Sequence, residues 1–213
     1  MKNRLALTLP EYERIFRVVH SVSRSLDDRP GASCLFYNTV AALLLEKSLG
    51  VQARPVMGAA FFRVHDPSAT ALFFASLMED GTCEGTENGF HCWIETEQHI
   101  LDFTAPVYRE YLQKLGSPLQ LPRKMFQKPK AEMARSHHEL RSEGDYFVQP
   151  SRHLTKMFLE SVLKSPAVGD LADACLQWFK RPPKKIPESL RLMNDLREIT
   201  VVNLTKIKLV GAW

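Results

Sequence analysis

No run of about 20 apolar residues occurs anywhere in the 213-residue chain, so no membrane-spanning helix is expected. The only apolar stretch near the start, Leu5 to Leu9, is broken by Pro10 and followed by charges. It is too short for the core of a secretory leader, and a cytoplasmic location is the default expectation. Cysteine is sparse: Cys34, Cys83, Cys92 and Cys175 form neither a CxxC pair nor a repeating framework. That spacing speaks against a zinc ribbon or a disulfide scaffold and fits thiols of a reducing compartment. The patterns G-x-S-x-G, G-x-x-x-x-G-K-[ST] and G-x-G-x-x-G are absent, which removes the common signatures of serine hydrolases, P-loop enzymes and dinucleotide binders. Internal repeats and low-complexity tracts are lacking as well.

What is present is an ordinary globular composition, 45% hydrophobic and 24% charged, in a chain long enough to bury a core without help from a metal or a disulfide. The formal net charge of +4 is uneven. Residues 1–116 carry 11 basic and 14 acidic side chains, whereas residues 117–213 carry 17 and 10. The excess is scattered over segments of helical periodicity, apart from short clusters such as Lys180-Arg181 and Lys184-Lys185, with no interleaving of basic and aromatic residues. Nucleic acid is therefore disfavoured as a partner.

The pattern predicts an α+β fold. Thr8-x-x-Glu11 fits a capping box, and Tyr12, Ile15, Phe16, Val19 and Val22 recur at helical spacing up to about Leu26. After a turn from Asp27 to Gly31, Ser33 is placed to cap a second, almost wholly apolar helix that ends at Gly50. Strands are expected over Val51–Val64, Leu72–Met78, Phe90–Thr96 and Ile100–Thr104, followed by a helix over Pro106–Leu115. Residues 116–130, with three prolines, read as a linker or extended loop. Beyond it, helices are expected over Ala131–Leu140, Leu154–Leu163, Pro166–Phe179 and Pro187–Leu196, with further strands at Asp145–Val148 and Thr200–Leu209. The expected division is a core of helices and antiparallel sheet over 1–116 and a mainly helical extension over 117–213 packed on the same domain.

Cys34 has an unusual address. In the first turn of a buried helix, unpaired backbone N–H groups and the positive end of the dipole favour a thiolate; the alternative is a small buried hydrophobe. A thiolate nucleophile needs an imidazole, and the imidazole needs an acceptor to orient it. Among seven histidines, His91 opens a strand-like run immediately after Asn88-Gly89, where its ring can face a cleft. Asp102 lies in a second such run between Leu101 and Phe103, an apolar setting in which a carboxylate needs a partner. Each also has a plain structural reading: His91 as a surface strand residue, Asp102 as the cap of the helix after Pro106. The set Cys83, His91 and Cys92 and the pair His137-His138 fit no usual zinc spacing.

In an antiparallel hairpin, opposed residues share a constant sum of numbers, and placing His91 opposite Asp102 requires 193. That register pairs Trp93 with Ile100 around a turn at Thr96-Glu97 or from Glu95 to Gln98, and keeps Cys92, Leu101 and Phe103 on one apolar face. A sum of 194 would move Asp102 to the other face.

Gly31-Ala-Ser-Cys34 opening an apolar helix, the run His91-Cys-Trp-Ile-Glu95, close to an H-x-W-x-E pattern, and Leu101-Asp102-Phe-Thr together resemble the catalytic core of the transglutaminase-like, papain-like cysteine enzymes, most of all a bacterial family within that group. The resemblance covers roughly residues 28–106. It implies a papain-like or transglutaminase-like core, a triad of Cys34, His91 and Asp102, and acyl transfer from a peptide or amide through a thioester, as a peptidase, amidase or transglutaminase-like enzyme, with no cofactor and no metal. Arylamine N-acetyltransferases share the same order of elements, and a binding module that keeps the fold without turnover is a third reading. The backbone N–H of Cys34 would supply one oxyanion donor. Papain-like enzymes usually place a glutamine several residues before the cysteine; here that stretch reads Asp27-Asp28-Arg29, which leaves the second donor open.

Overall fold

The computed structural model describes residues 5–25 and 33–213. Helix α1 spans Leu9–Arg24 and starts on the expected capping box: the Thr8 hydroxyl accepts from the Glu11 N–H, and the Glu11 carboxylate accepts from the Thr8 N–H. Its buried stripe, Tyr12, Ile15, Phe16, Val18, Val19 and Val22, follows the helical period. Thr8→Ala removes the hydroxyl half of the box and should cost about 1 kcal/mol, read as a lower urea midpoint at unchanged slope. Helix α2 spans Ser33–Leu44 and runs into a π-helical turn, Leu45–Leu49, that stops at Gly50 with φ 69°. The turn Asp27–Gly31 and the side chain of Ser33, to which capping was assigned, lie outside the described residues.

The sheet is built on one long strand, β1 (Arg54–His65). Strands β2 (Thr70–Phe74), β5 (His91–Glu95), β6 (His99–Asp102), β7 (Phe126–Pro129) and β8 (Tyr146–Pro150) join it in the order β2-β1-β5-β6-β7, with β8 also on β1, all antiparallel. A short hairpin, β3 (Ser76–Leu77) with β4 (Cys83–Glu84), lies between β2 and β5. Gly58 pairs with both His91 and Pro150, and Ala60 with both Phe74 and Val148. Strands β5 and β2 therefore share one edge of β1, end to end, while β8 lies along the other. The sheet curls until its outer strands meet: the Tyr146 hydroxyl donates to the Pro129 carbonyl at 2.8 Å, and its ring meets Phe126 edge-on.

Alternation along the strands sorts residues onto two faces. Val56, Ala60, Phe62, Trp93, Ile100, Phe126 and Tyr146 fill the concave face together with Tyr108 and Leu112 of α3 (Tyr108–Lys114). Ile94, Leu101 and Phe103 face α1 and α2 on the convex side. Residues 117–213 supply β7 and β8, then α4 (Arg152–Leu163), α5 (Pro166–Trp178) and a separate hairpin of β9 (Ser189–Met193) with β10 (Ile199–Asn203). Cys175, Trp178, Phe179 and Val202 pack into the same core as α1 and α2.

Two expected helices are corrected. Ala131–Leu140 forms only isolated 3-10 turns, Lys130–Glu132 and His137–Glu139, neither with a buried residue, so there is no apolar stripe to hold a helix. Within Pro187–Leu196 the chain is a strand: Leu190 and Leu192 are half-buried while Ser189, Arg191 and Met193 are exposed, a period of two. The expected linker holds β7, whose Pro129 is tolerated at its very end, against His99. Among the described residues no helix is long and apolar enough to cross a membrane.

Candidate active site

Cys34, in the first turn of α2, and His91, the first residue of β5, line one cavity with Thr104 and Tyr108. Cys34 is half-buried and shares the cavity wall with His91, whose pKa its side chain raises. The ring's Nε2 lies 2.7 Å from Asp102 Oδ2 and 3.4 Å from the Thr104 hydroxyl. Of the seven histidines in the sequence, His91 is the one in the cavity lining. His137 and His138 meet at a tilt instead, with His137 stacked on Phe61.

The register that achieves this differs from both sums considered above. Ile94 faces Leu101 and Glu95 faces Ile100, a constant sum of 195, around a turn closed by the Thr96 N–H donating to the His99 carbonyl. By the same sum Asp102 lies opposite Trp93, and His91 reaches it on the diagonal. Side chains alternate with period two, so a slip of two residues leaves His91 and Asp102 on one face and Cys92, Leu101 and Phe103 on the other. Glu95, at the far end of β5, pairs with Arg54 at 2.9 Å and Lys130 at 3.1 Å and fixes β5 between β1 and the segment after β7.

Asp102 is fully buried, and its carboxylate is saturated with donors. Oδ1 accepts from the Thr104 N–H at 2.8 Å, from the Thr104 hydroxyl and from Asn38 Nδ2 at 2.9 Å; Oδ2 accepts from His91 Nε2 and the Tyr108 hydroxyl. Tyr12 of α1 donates to the Asp102 backbone carbonyl. Asn38 is the residue that the sequence reading missed. One turn after Cys34 and fully buried, it donates to the carbonyls of Cys34 at 3.2 Å and Cys92 at 2.7 Å and accepts from the Phe103 N–H at 2.9 Å. This single amide ties the helix of Cys34 to both strands, which carry His91 and Asp102. The available signal was a lone amide inside an otherwise apolar helix, which has to find partners once buried.

Burial alone would pull the His91 pKa down, but the charge and hydrogen bond of Asp102, with Cys34 beyond it, push it up to about 10. Burial would raise Asp102, yet His91 and its hydroxyl donors hold it down to about 2. The ring is therefore an imidazolium through neutral pH. Because its folded pKa is raised, the stabilisation from His91 is complete below about 6.5 and is lost as pH rises through about 10. That of Asp102, whose folded pKa is depressed, is present above about 3.8 and is lost as pH falls through about 2. A urea titration series across pH should show the alkaline loss in the native protein and its absence in His91→Gln.

One wall of the cavity is the loop Glu87-Asn88-Gly89. It is pinned by paired backbone bonds between Thr86 and Gly89 and by the Ser76 hydroxyl on the Thr86 hydroxyl at 2.6 Å. A Cβ on Gly89 would meet the Ala75 carbonyl carbon at 2.7 Å, so only glycine lets the loop lie this close to the end of β2. Among the described residues no group of three His, Cys, Asp or Glu side chains is placed to hold a metal.

The family described as protein of unknown function, DUF2026, matches residues 8–213, nearly the whole chain, and the chain belongs to it. A solved crystal structure of a genomics target is similar throughout, at 31% identity and a TM-score of 0.86, covering 98% of each chain. No curated protein matches.

Proposed function

We propose that this DUF2026 chain is a cysteine-dependent acyl-transfer enzyme on a papain-like, transglutaminase-like core, with Cys34 as nucleophile, His91 as proton carrier and Asp102 as orienter. The observation that carries the reading is that Cys34 and His91 line one cavity while the Asp102 carboxylate holds the His91 ring at 2.7 Å. A buried imidazole and carboxylate that served only stability would have no need of a half-buried thiol in the same cavity wall.

The chemistry follows from those positions. With the proton of the pair already on the His91 ring, the Cys34 thiolate forms a bond to the carbon of an amide or ester carbonyl, and the carbonyl π electrons move to oxygen. The resulting oxyanion is met by backbone N–H groups in the first turn of α2, which have no acceptor within the helix. Among side-chain donors in the lining, the hydroxyls of Thr104 and Tyr108 are committed to Asp102, which leaves the Asn88 amide and the Tyr111 hydroxyl, and the second donor is assigned to Asn88. As the tetrahedral centre collapses, the bond to the leaving amine or alcohol breaks and His91 protonates it. Water or an amine then attacks the thioester carbonyl and His91 takes its proton; the carbon–sulfur bond breaks, the acyl group departs as an acid or a new amide, and the sulfur leaves as thiolate with the proton again on His91. Asp102 stays ionised throughout and holds the ring's tautomer. No Lys or Arg occurs among the lining residues to receive the phosphates of coenzyme A, which favours a peptide or amide donor over an acetyltransferase reading.

An activated ester such as p-nitrophenyl acetate should give a burst of about one equivalent of nitrophenol and an acyl adduct on Cys34 by mass spectrometry, both lost in Cys34→Ser. Asn88→Ala should lower the burst rate by about 100-fold. Absence of burst and adduct in the native protein would overturn the assignment.

A further inference from the structure

The cavity beside Cys34 has a volume of about 370 Å³, within the range of small-molecule pockets and large enough for one bulky group beside a carbonyl. Its walls are mostly rings. Phe74 stacks face to face on His91 with centroids 4.4 Å apart and packs against Tyr111 at 5.1 Å and Tyr108 at 6.1 Å. Phe90, itself stacked on Phe158 of α4 at 4.3 Å, adds another ring to the lining, and Val107 adds an aliphatic surface. The Tyr108 hydroxyl is turned to Asp102, so that residue presents its ring and not its polar tip. Glu87, exposed at the rim, is the one charged side chain in the lining besides the His91 ring, and its sign is negative.

These walls do not yield. Phe74 is fixed by strand pairing to Ala60, Phe90 by its stack on α4, and the Glu87-Asn88-Gly89 loop by the close approach at Gly89. The acyl portion of a substrate remains at Cys34 through both half-reactions, whereas the leaving group has to escape to solvent. The walled part of the site therefore serves the acyl side.

We infer that the cavity selects acyl donors whose reacting carbonyl is flanked by an aromatic or bulky aliphatic group without negative charge. This inference rests on the acyl-transfer reading and adds its substrate class. An aromatic group gains contact with Phe74, Phe90 and Tyr111 that a methyl group cannot reach, and a carboxylate meets apolar rings and the like charge of Glu87.

The test uses three chloromethyl ketones of the same scaffold that bear benzyl, methyl or carboxymethyl beside the carbonyl. Each is incubated with the full chain, and the rate of mass increase at Cys34 is followed. Benzyl should react about 50-fold faster than methyl, with carboxymethyl slowest. Tyr111→Ala, and independently Val107→Ser, should narrow the benzyl-to-methyl ratio; because the reading is a ratio, a variant that folds poorly lowers both rates and does not mimic the effect. Equal labelling of Cys34 by all three probes overturns the selectivity and leaves acyl transfer standing. A ratio unmoved in both variants also overturns it, since the rings would then not be its source. Failure of every probe to label Cys34 brings down the acyl-transfer reading together with the selectivity.

Discussion

Asp102→Ala should lose about 3–5 kcal/mol of folding stability, a drop in melting temperature of roughly 10 °C for a chain of this size. The expectation comes from what surrounds the carboxylate. Five donors from four residues, Asn38, His91, Thr104 and Tyr108, converge on two oxygens that have no exposure to solvent. Removing the acceptor strands them together, and a buried donor without a partner costs more than a made hydrogen bond contributes. The His91 ring also loses the charge that holds it protonated, so the same substitution should return it to the neutral form at neutral pH. Asp102→Asn keeps the volume and one acceptor oxygen and should fall between the two. A loss under about 1 kcal/mol in Asp102→Ala would mean that the five bonds do not hold this corner of the fold together.

His91→Ala should lower acyl transfer from an activated ester by about 100-fold to 10,000-fold while leaving Cys34 in place, since the proposed proton transfers at the leaving group and at the attacking water both pass through this ring. The structural cost is separable. His91 sits at the end of β5 with Phe74 over one face, so truncation opens space next to the cavity and not in the convex core. His91→Gln, which keeps an amide near Asp102, should recover stability without recovering rate. Equal recovery of both would show that the ring acts only by packing.

The helical and strand period of the sequence carried much of this arrangement. The capping box at Thr8 and Glu11, the apolar helix behind Cys34, and the alternation that places His91 and Asp102 on the same face were all readable from residue spacing. Parity was readable and register was not. A hairpin sum of 193 and one of 195 satisfy the same alternation, and the choice is made by the turn around Thr96 and His99 and by Glu95 finding both Arg54 and Lys130, one of them 35 residues away. Asn38 was illegible for a similar reason. Its partners, Cys92, Asp102 and Phe103, come from strands more than fifty residues on, so within its own helix it is only an amide out of place. Ser189–Met193 misled because five residues are too few to separate a period of two from one of 3.6, and β7 was hidden by prolines that an edge position tolerates. The wider likeness, through DUF2026 and the solved structure, extends over nearly the whole chain and brings no chemistry with it, so the function rests on the site itself.

The central claim is that His91, held by Asp102, makes Cys34 a nucleophile, and the chain contains its own control. Cys83, on β4, is half-buried like Cys34 and lies outside the cavity. With iodoacetamide at pH 6 and peptide mass mapping of each site, Cys34 should be alkylated at least about 10-fold faster than Cys83 and should fall to its level in His91→Ala. Equal rates at the two cysteines in the native protein, or a Cys34 rate indifferent to the loss of His91, would contradict the account.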